Sequence, residues 1–483
     1  MKTVKKLILL LIVLLAALSA SPSVHSQDPP QQNTHPLLEM LALVPDNDMT
    51  RRTENAFFLD FSIHYGNYRA AEAAFPVVSG EVIAPQDAEA FQTLSDAERA
   101  HWHQAVNRLF LPSELRLMMR STCLDHMPDA LGFGYFDVDR VLFSGRPPFT
   151  LEIFGGIFDP EAIEASHLER GYAENDVEGL TVWRRADGEP DGARSAIPPG
   201  DVEVKRDPVT LQRTGDELYR CTPFGGKLYR LQPLAVIPDE RAGQAAYVAS
   251  STRWELVTTL VEASQGEAPS LAEADDYGTL AEAIIAPEGD LVQAHFVTMN
   301  DPQAEPPNFF ENLISVMRAE GLDKEDVTAI MSQMAAREYC GYGELPPFKM
   351  AVLADRQESN EIVNMLAVYY ADEAEAQIAA EELTHRLEAF SMYLDFRRAE
   401  PLLEWAMEGT EVQMETPYVY ASETTGRFAA VASVRYPLPP LDSDLMPGRL
   451  FALWIRAILS QSFAPLMRIG AEDLPSAVLE TCP

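Results

Sequence analysis

The stretch GGIFDPEAIEASHLERGYAENDVEGLTVWRR, Gly155 to Arg185, decides the reading of the fold. It closes an apolar run that begins at Phe149 and reaches Phe158, which suits a buried strand. Asp159 then stands where an N-cap carboxylate accepts the first free helix amides, and Pro160 falls at the first helical position, where a missing N–H costs nothing. Ala162, Ile163, Ala165 and Leu168 supply an apolar stripe, Gly171 ends the helix, and Leu180 to Trp183 begins the next strand. Every feature of the stretch has a structural job, including its Glu164-x-x-His167 pair.

A comparable unit lies late in the chain, in EIVNMLAVYYADEAEAQIAAEELTHRLEAF, Glu361 to Phe390. A strand runs through Tyr370, Asp372 caps a helix with Glu375 completing a capping box, and Ile378, Leu383 and Leu387 point inward. Between and around the two units, Asn55 to Tyr65 alternates like a strand, and Ser95 with Glu98 boxes a helix to about Phe110. Leu228 to Ile237 and Ala245 to Ser250 read as paired strands. Helices follow from about Thr252 and over Ala268 to Ile284, and then the strand Leu291 to Val297. Phe309 to Arg337 is helical in pattern. Phe348 to Leu353, Val412 to Tyr420 and Phe428 to Tyr436 are further strands, the last two joined as a hairpin through Thr424-Thr425-Gly426. The mixture predicts an α+β fold, two lobes with largely antiparallel sheets covered on one face by helices. The first lobe spans 37–300. The second spans 301–483 and ends in the apolar helix Arg449 to Ile469, read as a core helix, with a dimer surface or an apolar-ligand contact as alternatives.

At 483 residues, 47% of them hydrophobic, the chain can bury a large core, which excludes wholesale disorder. Lys2, Lys5 and Lys6 precede an apolar run from Leu7 to Leu18, so residues 1–26 read as a secretory signal peptide followed by a polar spacer, 27–36. Val24-His25-Ser26 offers cleavage before Gln27, Ala17-Leu18-Ser19 a second point, and retention as an anchor is disfavoured because the run is short for a bilayer span. The formal charge of −37 is spread along the chain and repels nucleic acid and anionic lipid headgroups. Cys123, Cys221, Cys340 and Cys482 are widely spaced, without Cys-x-x-Cys, so export makes two disulfides the expected state. Pairing within lobes joins Cys123 with Cys221 and Cys340 with Cys482.

The blocks MPDALGFGYFDVDRVLFSGRPP, GIFDPEAIEASHLERGY with EGLTVW, and YVASSTRWELVTTLVEASQGEAPSLAEADDYGTLAEAI, between about Met127 and Ile284, resemble modules of exported bacterial and haloarchaeal proteins of the domain-of-unknown-function type. The resemblance implies a secreted α+β protein and transfers no catalytic residue.

Candidate chemistry is sparse. Glu-x-x-His occurs as Glu98/His101, Glu164/His167 and Glu382/His385, one helical face each, as di-iron sites use. Such sites need further carboxylates on facing helices, so the pairs read as solvated surface pairs and no metal or cofactor is expected. His101-Trp102-His103 sits in the boxed helix, where Trp102 packs and the histidines are exposed. Asp137-Val138-Asp139 and Asp442-Ser443-Asp444 lack the glycine and distal Glu of a calcium loop and read as turn caps. No nucleophile elbow or phosphate loop is present. The expectation is an exported binding or envelope-associated protein whose partner is a protein or an apolar envelope molecule. The competing class is an extracellular hydrolase with scattered carboxylates and histidines. An enclosed apolar cavity would favour the first, acids and histidines converging in a cleft the second.

Overall fold

The Asp159 cap forms as its chemistry dictates, its carboxylate accepting from the backbone N–H of Glu161 at 3.0 Å and Ala162 at 3.4 Å, directly after the strand Phe149–Phe158. The structure, a computed structural model, describes residues 35–51, 62–73, 85, 87–110, 128, 131–146, 149–169, 171–185, 205–206, 213–214, 234–239, 244–251, 253–298, 318, 321, 323, 325–327, 329, 342–390, 401–439, 446–459 and 464–467. Residues 1–26, read above as a signal peptide, all four cysteines, most of Asn55 to Tyr65, most of Phe309 to Arg337 and Asp442 to Asp444 lie outside them.

In chain order the elements are α1 (Pro36–Leu43), β1 (Ile63–Asn67), α2 (Tyr68–Ala73), α3 (Ala88–Thr93), α4 (Asp96–Val106), β2 (Val138–Arg146), β3 (Phe149–Phe158), α5 (Pro160–Glu169), β4 (Tyr172–Val177) and β5 (Leu180–Arg185). There follow β6 (Lys205–Arg206), β7 (Arg213–Thr214), β8 (Leu234–Asp239), β9 (Gln244–Ser251), α6 (Trp254–Ser264), α7 (Asp275–Ile285), β10 (Asp290–Thr298), β11 (Met350–Glu358) and β12 (Glu361–Tyr370). The chain ends with α8 (Glu373–Ala389), α9 (Leu402–Ala406), β13 (Gln413–Met414), β14 (Tyr418–Ala421), β15 (Phe428–Pro437) and α10 (Arg449–Leu459).

The α+β class stands. Among the described residues one antiparallel sheet of 13 strands runs β13-β15-β12-β11-β10-β1-β2-β3-β9-β8-β5-β4, with β14 also on β15, while β6 and β7 pair separately. The segments 37–300 and 301–483 both contribute to this sheet. β10 and β11, one from each, pair from Asp290↔Gln357 to Thr298↔Met350 with an irregularity between Leu291 and Gln293.

Strand alternation puts Ile362, Leu366, Val368 and Tyr370 of β12 on one face and Val363, Met365 and Ala367 on the other, each set in its own core. The first face is covered by α8, α9 and α10 in one half and by α2, α4 and α5 in the other. The second carries α1 and α7, with α6 at the β5–β8 end. Coverage of one face only is therefore corrected: β12, buried on both sides, cannot leave either face to water. The core-helix reading of α10 holds, with Leu450, Phe451, Trp454, Ile455 and Ile458 buried and Arg456 exposed. Each such large side chain contributes roughly 1.5–3 kcal/mol.

Two helix stripes differ from expectation. In α5 the buried residues are Ile163, Ser166 and His167, and Leu168 is 44% exposed. In α8 they are Ala376, Ala379, Ala380, Leu383, Arg386 and Leu387, and Ile378 is 53% exposed. β4 is an additional strand, where the sequence pattern runs from helix directly to Leu180. It pairs with β5 through Glu178 and Gly179, both at positive φ (49° and 82°), the tight-turn geometry that an X-Gly step permits.

Candidate functional site

On the α7 side of the sheet, β15 interrupts its apolar alternation with Ser433 and Arg435, the latter opposite Val363 of β12 and Gln413 of β13. Three carboxylates converge on Arg435. Nε donates to Glu415 Oε1 at 2.6 Å, and one terminal nitrogen reaches Glu358 at 2.7 Å and Glu361 at 2.9 Å. Burial works against the charge, but the hydrogen bonds to Glu358, Glu415 and Glu361 outweigh it and raise the guanidinium pKa. Glu415 is fixed twice more, accepting from Ser433 Oγ at 2.7 Å and donating its backbone N–H to the Ser433 carbonyl at 3.0 Å.

Glu358, Glu415, Ser433 and Arg435 border a pocket of about 350 Å3, lined also by Ala286, Pro287, Val363, Met365 and Tyr418, while Glu361 stands outside the lining. Its floor is apolar and its rim charged. The Ala286-Pro287 wall is anchored by Arg356, a fully buried residue next to Val363 in register. Arg356 donates to the carbonyls of Ile284 and Pro287, to Glu288 at 2.7 Å and to Gly289 at 2.9 Å. It thereby satisfies the end of α7, where carbonyls lack intrahelical partners and the helix dipole favours a cation. Burial lowers its pKa. The Tyr418 hydroxyl is enclosed beside the pocket with no hydrogen-bond partner among the described residues, and burial pushes its pKa up to about 12.

Three further polar clusters belong to the scaffold. Asp355 accepts from Arg108 at 2.7 and 2.9 Å, from Gln293 at 2.9 Å and from Asn364 at 3.1 Å, the last held by Tyr436 at 3.0 Å. Glu72 sits among Tyr68, Trp102 and Tyr135, accepting from the Trp102 indole at 3.2 Å, the Tyr135 hydroxyl at 3.3 Å and Arg69 at 2.9 Å. Desolvation raises its pKa against the pull of Arg69. His64 and His295 face each other across β1 and β10, ring centroids 5.7 Å apart, against Phe110 and Phe451.

The Glu-x-x-His pairs do not come together. Glu98 completes the capping box with Ser95, confirming the helix start, and His101 and His103 are half-buried rather than exposed, flanking buried Trp102. His167 is not a solvated surface residue. It is buried, Nδ1 lies 2.8 Å from the Ile163 carbonyl, and its ring meets Tyr172 and Trp183. Glu382 binds Arg386 at 2.6 Å while His385 points outward. Asp137 caps the Gly134 amide at 2.7 Å, as a turn cap should, and Asp139 binds Arg69 at 2.7 Å. Among the described residues no group of three or more His, Cys, Asp or Glu could hold a metal ion. The pocket residues escaped sequence reasoning because they come from separate strands and turns. The available signal was the Ser433-Val434-Arg435 break in an apolar strand.

No protein-family model and no curated protein sequence matches this chain. Among solved structures, crystal forms I and III of TP0453 match over 86% and 87% of this chain and 96% and 97% of theirs, at 9% and 8% identity and TM-scores of 0.28 and 0.29. Similarity at that level transfers no residue role. No helix among the described residues is long and apolar enough to cross a membrane.

Proposed function

We propose that the protein is exported and works by binding a small amphipathic molecule in the pocket between α7, β12 and β15. One observation carries the reading: about 350 Å3 of space joins the apolar floor of Val363 and Met365 to a rim of fixed charges. That volume lies at the lower end of the range of ligand sites, and few oriented polar groups over an apolar floor is how such sites discriminate. None of the lining residues is a histidine, and the carboxylates of the rim are engaged with Arg435 rather than aimed at one another. Export from residue 27 and the disulfides Cys123–Cys221 and Cys340–Cys482 belong to the same proposal. N-terminal sequencing and a non-reduced peptide map of the mature protein check them.

The pocket is tested with the neutral fluorophore N-phenyl-1-naphthylamine. Saturable one-site uptake is expected, abolished by Ala286→Trp, which projects an indole from the wall. Absent uptake, or uptake that ignores this substitution, removes the reading.

A further inference from the structure

We infer that the pocket selects a small organic cation, an amine nitrogen carried on a compact apolar body; this rests on the pocket being a binding site. Charge decides the sign. Two carboxylates of the lining, Glu358 and Glu415, face a single lining guanidinium, Arg435, and Glu361, just outside the lining, shares that guanidinium, so the rim holds more negative than positive charge. The other guanidinium nearby, Arg356, is fully buried outside the lining, and its charge is met by four carbonyls at the end of α7, where the helix dipole is negative. An anion entering the pocket would face the carboxylates of Glu358 and Glu415 and would have to displace them to reach Arg435.

A cation meets the opposite situation. An ionised carboxylate accepts about four hydrogen bonds. Among the described residues, Arg435 takes one oxygen each of Glu358 and Glu361, and Arg435 and Ser433 one each of Glu415, which leaves acceptor capacity for an ammonium. The two lining carboxylate side chains, Glu358 and Glu415, are 21% and 29% exposed, so they are open to a ligand while remaining partly shielded from water. Partial shielding strengthens a charge pair over its value in bulk water.

The floor decides which cation. Val363, Met365, Ala286 and Pro287 offer hydrocarbon surface that a hydrated inorganic ion cannot use, whereas a ring or short chain behind the nitrogen removes it from water. The chain's formal charge of −37 draws cations toward the surface from solution.

Competition against the bound fluorophore separates the two claims. Cyclohexylamine, cyclohexanol and cyclohexanecarboxylate share one apolar body and differ in charge. At neutral pH and low salt the amine is expected to displace the fluorophore at a concentration about tenfold below that of the other two. Glu415→Gln should weaken the amine about fivefold, and Glu358→Gln with Glu415→Gln should erase its advantage over cyclohexanol, with each displacement normalised to that variant's own fluorophore affinity. An unchanged circular dichroism spectrum and unfolding midpoint report that the variants fold, and Glu361→Gln, on the same guanidinium but outside the lining, gives a milder substitution with the same expected direction. Equal displacement by all three compounds, or an amine preference that survives the double substitution, overturns the cation inference while the pocket itself stands. Failure of the wild-type protein to take up the fluorophore overturns both.

Discussion

Arg108 and Asp355 have fully buried side chains and are joined by two hydrogen bonds, with Gln357 at 2.6 Å and Gln293 at 2.9 Å completing their shells. Removing one partner of such a pair leaves an uncompensated charge and costs about 3–5 kcal/mol, whereas well-packed apolar substitutes for both can be nearly neutral. The cluster therefore fixes the approach of residues 108–110 to the sheet without implying chemistry. His295 is a second buried group with a measurable consequence. Burial holds its pKa down at about 4, against 6.5 for a free imidazole, and neither ring nitrogen has a hydrogen-bond partner among the described residues. As pH falls, the unfolded chain protonates first. The stabilisation is complete above pH 6.5, erodes between 6.5 and about 4, and is gone below that. The loss amounts to roughly 3 kcal/mol. Urea unfolding from pH 7 to 4 is expected to show this decline, and His295→Leu to flatten that part of it. An identical decline in the variant would assign the pH dependence elsewhere.

Helix α8 shows what an element's surroundings add to its pattern. Its first turn is capped by Asp372, which accepts from Ala374 at 2.9 Å and Glu375 at 3.2 Å. Its inner face is set by Ala376, Ala379 and Ala380, small enough for the helix to lie close to β12 and β15, and that choice turns Ile378 outward. In α5 the same role falls to Ile163: a Cβ at Gly132 would come within 2.4 Å of the Ile163 backbone, so the glycine admits the helix. Ile378→Ser is accordingly expected to change stability by less than about 0.5 kcal/mol. Ala380→Leu should lose about 1–3 kcal/mol through overpacking. Asp159→Ala should lose about 1 kcal/mol with its cap. Chemical denaturation ranks the three, and a reversed order of the α8 pair would mean that the helix is rotated about its axis.

At the scale of the molecule, the core on the α7 face takes residues from α1, β1 and β3 in one segment and from β11, β12 and β15 in the other. Pairing of β10 with β11 carries the backbone hydrogen bonds across the same junction. A fragment ending at residue 300 would expose a long sheet edge together with half of that core. The full chain is expected to unfold in one calorimetric transition whose enthalpy matches its van't Hoff value. Two separable transitions would show that the segments on either side of residue 300 fold independently.

The sequence by itself determined the local elements whose cause is local. Phe149–Phe158 and Glu361–Tyr370 are strands because their apolar runs fill two sheet faces, and Asp159, Asp372 and the Ser95/Glu98 box start helices because orphan amides need an acceptor within three residues. The arrangement of those strands in one sheet, the turn of α5 and α8 toward it, and the gathering of Glu358, Glu361 and Glu415 around Arg435 were decided only in the tertiary structure. Strand order and helix rotation depend on partners far along the chain. A charged rim built from several strands leaves no spacing that a linear pattern could carry.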